Sequence, residues 1–131
     1  MRTNSDITIY NRYRVLNVDT WQRVQVSDVE WEQTHARSQF DSADLATVFI
    51  PLVRGANYLQ PRVWQALTNK TGKWTLQVGD VIVKGLVTFD LSVAFPLGVL
   101  EAAYDDVLVI TSVDTYDYGS ANLQHWRVGA K

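Results

Sequence analysis

Hydrophobic and polar positions alternate with a period of two along most of this chain, which predicts strands nearly throughout. Ile7 and Ile9, with Tyr13 further on, alternate with Thr8, Tyr10 and Arg12, as expected of a half-buried first strand. Residues 17–20 carry turn chemistry. Between Trp21 and Gln33 the alternation conflicts with itself: Val24 and Val26 share one face, Val29 and Trp31 the other. A β-bulge or bend near Ser27-Asp28 swaps the faces midway and lets both pairs reach one core. Residues 34–44 have Phe40 as their only large apolar side chain and read as a long loop. A strong strand is predicted over residues 45–53. Pro51 marks an edge position or a strand end there, because proline cannot donate to a ladder.

The pattern turns helical only over short stretches. Residues 61–67 form a helical turn with Pro61 well placed at its first position, and Leu97, Leu100 and Tyr104 fall at helical spacing within residues 96–104. Residues 74–77 predict a short strand and residues 78–80 a turn. Residues 81–84 and 87–93 predict two strands broken at Gly85. Residues 107–114 begin apolar on both faces, which suits a central strand. A glycine-containing loop and a return strand over 123–128 complete a hairpin. The sum is an all-β fold, a small β-barrel or sandwich with one or two short helices and long loops. The 131 residues make a single domain, 1–131.

Composition then narrows the function. The absence of cysteine removes a disulfide framework, a thiolate metal site and a cysteine nucleophile together. Twelve basic residues against 14 acidic ones leave no basic excess for gripping phosphates. The polar N-terminus and the lack of a long apolar run predict a soluble chain made in the cytoplasm. His35 and His125 do not form a metal-binding spacing, and no cofactor is expected. Asp28, Glu30 and Glu32 stand two apart. On a straight strand they share a face, as a solvated strip, an acidic docking strip, a cation site or the acids of a small hydrolase. No nucleophile elbow or phosphate loop is present, so an enzyme is not expected. Five tryptophans and six tyrosines fill a core or a subunit interface, with Trp64 and Trp126 the candidate interface aromatics. The alternative is a stacking platform for sugars or bases.

Five stretches carry a family resemblance: Asp6-Ile-Thr-Ile-Tyr-Asn-Arg12, Pro61-Arg-Val-Trp-Gln-Ala-Leu67, Trp74-Thr-Leu-Gln-Val-Gly-Asp-Val-Ile-Val-Lys-Gly85, Tyr104-Asp-Asp-Val107 and Leu123-Gln-His-Trp-Arg-Val-Gly129. In them the chain resembles small virion proteins encoded among the head and minor capsid genes of tailed phages of Gram-positive bacteria. It is similar to head-closure (stopper) proteins in particular. The resemblance implies a β-barrel subunit of a homo-oligomeric ring at the head–tail junction of the virion, with a hexamer the expected size. The implied partners are the portal or adaptor above and tail proteins below, with packaged DNA passing through without tight binding and no membrane involved. It also implies a long loop facing the channel or a partner. Residues 34–44 (Arg37, Phe40 and Asp41) and 94–103 (Phe95 and Leu97) are the candidates. An adaptor, a tail-terminator or a decoration protein are neighbouring readings, and a carbohydrate-binding β module is the distant one.

Overall fold

A computed structural model describes residues 3–33, 45–91 and 97–131. Among them are strands β1 (Ser5–Val15), β2 (Val18–Gln33), β3 (Ala46–Pro51), β4 (Val81–Lys84), β5 (Val107–Tyr116) and β6 (His125–Ala130). Two short helices, α1 (Pro61–Gln65) and α2 (Leu97–Ala103), accompany them. The strands close into a barrel in the order β1-β2-β3-β6-β5-β4, with every pair antiparallel. The fold is therefore all-β as expected, and of barrel and sandwich the chain forms the barrel.

The face conflict in β2 is resolved as the alternation requires. Ser5 pairs with Val29 and Ile7 with Val26, so β2 carries one residue more than β1 between these points. Asp28 takes up the excess at φ 58°, and its amide donates to the Asp6 carboxylate at 3.1 Å. Val26, Val29 and Trp31 all reach the barrel interior, where they join Ile7, Ile9, Val48, Ile50, Ile82 and Ile110. Burying each aliphatic side chain there contributes roughly 1.5–3 kcal/mol. Pro51 is a strand end, not an edge: its strand is flanked by β2 and β6.

The first strand departs from expectation by burying both faces. Thr8 and Tyr10 point outward yet are fully buried, like Ile7 and Ile9. The reason is a second cluster outside the barrel, in which Tyr10, Val81, Val83, Val87, Leu91 and Leu100 pack together. Residues 87–91 do not form the predicted strand, because side chains of β1 and β2 take their backbone groups. The Val87 amide donates to Thr8 Oγ1 at 2.8 Å, while its carbonyl accepts from Arg23 and Gln25 at 2.9 Å each. Tyr10 donates its hydroxyl to the Phe89 carbonyl. Residues 92 and 93, the end of that predicted strand, lie outside the described residues.

Residues 74–77 likewise form no strand, only an isolated parallel bridge from Trp74 to Tyr58. This segment, together with α1, covers the end of the barrel from which the β1–β2 hairpin extends. Tyr58, Trp74 and Trp126 meet there with ring centroids 4.4–5.7 Å apart. Gly55 makes room for them: a Cβ at that position would lie 2.6 Å from the Trp126 ring. No helix of the described residues is long and apolar enough to cross a membrane.

Candidate interaction surface

Strand pairing divides the β1–β2 hairpin into two parts. β1 pairs with β4 only over Ile7–Tyr10, and β2 pairs with β3 only over Glu30–Gln33. From Asn11 to Val15, and from Val18 to Gln22, the two strands pair with each other alone. This upper part is an arm beyond the wall of the barrel.

The base of the arm is held by a buried polar cluster. Asn11 Nδ2 donates to the Thr75 carbonyl at 2.8 Å and to Asp80 Oδ2 at 2.9 Å. The Thr75 amide donates back to Asn11 Oδ1 at 3.0 Å. Asp80 also accepts from Gln77 Nε2 at 2.8 Å and from the Arg12 amide at 3.1 Å. Burial pushes the Asp80 carboxyl above the ordinary carboxylate value; its hydrogen bonds and the Arg12 charge oppose that rise. A polar cleft of about 540 Å³ lies alongside, lined by Arg12, Arg14, Asp19, Gln65 and Gln77 among others. Its amides are already engaged, Gln65 on Arg12 and Gln77 and Gln77 on Asp80. The cleft thus belongs to the joint between arm and barrel.

The tip of the arm is different in kind. Leu16 and Asn17 form a two-residue turn with φ of 51° and 66°, the left-handed geometry of tight hairpins. The turn therefore lies earlier than residues 17–20, and Val18 to Thr20 already belong to β2. Asn-Gly suits such a turn; leucine does not, and its presence there costs roughly 1–2 kcal/mol. Leu16 is 93% exposed, with Val15 and Val18 about half exposed beside it. An Arg14–Asp19 ion pair at 3.3 Å stands just behind the tip.

A second exposed feature lies on the outer face of β3, β6 and β5. Phe49, His125, Tyr116 and Tyr118 form a row with successive ring centroids 5.6, 4.9 and 6.0 Å apart. His125 Nδ1 lies 2.7 Å from the Leu123 carbonyl. That contact puts a proton on Nδ1 and fixes the ring, with Nε2 directed elsewhere. Tyr118 is 70% and Leu123 59% exposed. Glu30, Phe49, Leu123 and His125 line a shallow, mostly apolar recess of about 210 Å³. Glu30 and Glu32 continue that outer face beside it, whereas Asp28 is drawn away at the bulge and pairs with Arg54 at 2.9 Å. The predicted three-acid strip is thus a pair.

The aromatics picked from sequence fall elsewhere. Trp64 is fully buried, edge-on to Tyr13 at 5.6 Å, with Lys70 Nζ 4.7 Å above the Tyr13 ring. Trp126 points into the barrel against Gly55. Neither can present its ring to a partner, so the interface reading is corrected for both. Trp31 and Trp74 are also buried, and Trp21 packs against the outer cluster, which leaves no tryptophan as an open stacking face. Leu97 begins α2 and packs half-buried on the outer cluster, an anchor and not a projecting residue. Arg37, Phe40, Asp41 and Phe95 lie outside the described residues, as does His35. Among the described residues no group of three or more histidines and carboxylates is placed to hold a metal.

Compared with known proteins, residues 2–131 match the model of a family of unknown function, DUF6751. No curated protein and no solved structure matches the chain.

Proposed function

The chain belongs to the DUF6751 family, and we propose that it is a structural subunit of a phage neck. In this reading it forms a ring that connects the DNA-filled head to the tail, as head-closure proteins do. The observation that carries the reading is a closed barrel with two separate unpartnered apolar features, the arm tip and the aromatic row. A ring subunit needs two different surfaces, one for each neighbour. Interface cores are enriched in aromatic residues, and Phe49, Tyr116 and Tyr118 supply them. A net charge of −2 suits a ring through which DNA passes without adhering. In this reading residues 34–44, which connect β2 to β3 in sequence, supply the channel-facing or partner-facing loop.

The test is to mix the purified chain with tail-less heads and measure its mass by light scattering, free and head-bound. Stoichiometric joining to heads, with tails then attaching, is the expected result. A chain that ignores heads at every concentration overturns the neck reading.

A further inference from the structure

We infer that the outer edge of β2, from Asp19 to Gln25, receives an extended segment of another protein as an added strand. The inference goes beyond the neck reading and does not depend on it.

The backbone directions carry it. In an antiparallel ladder every second residue pair turns its N–H and C=O groups away from its partner. In the β1–β2 register Arg14 faces Asp19, Arg12 faces Trp21, Tyr10 faces Arg23 and Thr8 faces Gln25. The β1 members show which way these pairs point. Thr8 and Tyr10 lie in the stretch paired with β4, and the Arg12 amide donates to Asp80 Oδ1 at 3.1 Å. The Arg12 carbonyl accepts from Gln65 at 2.9 Å and from Gln77 at 3.3 Å. Asp19, Trp21, Arg23 and Gln25 therefore direct their backbone groups to the opposite side, where no described strand or loop bonds to them. One edge of the hairpin is closed by the chain's own residues. The other is an open ladder, the template that another strand completes.

A gap beside that edge is built into the fold. β3 pairs with β2 no further than Glu30. Pro51 ends β3 without a donor, and the chain turns off into a short 3-10 helix over Leu52–Arg54. The ion pair from Arg54 to Asp28 at 2.9 Å ties this turn to the bulge. Between them remains a space of about 220 Å³, with Gln25 and Ser27 on one side and Arg54, Asn57 and Trp74 on the other.

The occupant follows from the chemistry and the shape. Outward N–H and C=O groups at every second residue are matched by extended backbone, as in strand addition. The wall at Arg54 and Asn57 admits a single chain beside Gln25 and excludes the edge of a second folded barrel. Val24 and Val26 face the core, so the added strand places apolar side chains next to them. Next to Arg23 and Gln25, on the outer face, it places polar ones.

The probe is a short acetylated peptide of alternating valine and threonine with a lysine at each end, titrated into the intact chain. Amide hydrogen exchange at Trp21, Arg23 and Gln25 is the readout. These amides should exchange freely in the chain alone and slow at least about tenfold with peptide bound, while those facing β1 do not change. Gln25→Pro removes one outward N–H and leaves the β1 ladder whole, so it should weaken binding at least about tenfold with the thermal transition in place. Gln25→Ala, which keeps that N–H, should bind as the parent does. A peptide N-methylated at alternate residues should not bind. Edge amides already slow in the dilute chain alone overturn the inference, because a segment of the same chain then fills the edge. Slowing that appears on concentrating the protein without peptide also overturns it, because a second copy is then the occupant. Edge amides left unprotected at millimolar peptide, or equal binding of the N-methylated peptide, overturn strand addition itself.

Discussion

At the base of the arm, the buried Asn11 is bonded to Thr75 and to Asp80, 64 and 69 residues away in sequence. At the tip, five residues on from Asn11, Leu16 stands in solvent in a left-handed turn. The same two strands carry both ends. The base shows what a stable joint needs: a buried amide and carboxylate bonded to several partners, with only Thr75 Oγ1 of the buried side-chain atoms there left without one. The tip shows the opposite, an apolar residue placed where neither burial nor backbone preference rewards it. Stability explains the first end and not the second, so the second is where a function outside the subunit should be sought.

Breaking the base should have the largest effect. Asn11→Ala leaves the Thr75 amide and carbonyl and one Asp80 oxygen short of a partner. We expect a loss of about 3 kcal/mol, read from the urea midpoint at unchanged slope.

A smaller effect comes from Tyr10, next to Asn11 and buried in the outer cluster. Burial pushes its hydroxyl to about 12 from the ordinary 10.0. A raised folded value means the contribution is complete below pH 10 and is lost as pH climbs towards 12. The loss should reach about 2 kcal/mol, with Tyr58, also raised by burial, adding in the same direction. Tyr10→Phe should flatten this alkaline slope in denaturation curves collected from pH 8 to 12.

The smallest effect should have the opposite sign. Replacing the tip with Leu16→Asn and Asn17→Gly gives the turn the residues its geometry favours, and should stabilise the fold by about 1 kcal/mol. The same double variant should lose head joining. A more stable subunit that no longer assembles would separate the two ends of the arm cleanly; unchanged assembly would mean the tip is incidental.

The bulge in β2 was legible in the sequence because Val24–Val26 and Val29–Trp31 made contradictory demands on one strand. The barrel class was legible for a related reason, since period-two patterning survives whatever the neighbours are. Residues 87–91 and 74–77 misled because their alternation is genuine, but Thr8, Tyr10 and Asn11 supply side-chain partners where a ladder would otherwise form. No local pattern announces that. The aromatic row was invisible for a topological reason: Phe49, Tyr116 and His125 come from three strands and meet only through the β3-β6-β5 pairing. Leu16 left a signal, an apolar residue immediately before Asn17, which the turn chemistry further on obscured. Tryptophan content pointed to packing correctly in general, but Trp64 and Trp126 took interior places that only Gly55 and Tyr13 explain.

The strand order has one more consequence, which concerns timing. β6 lies between β3 and β5, so the barrel wall keeps a gap until residues 125–130 have left the ribosome. Until then β3 and β5 each expose an unpaired edge, and the recess lacks His125. Pairings this distant in sequence form slowly. A nascent chain therefore has its arm before it has the recess, which is completed only with the last strand of the barrel.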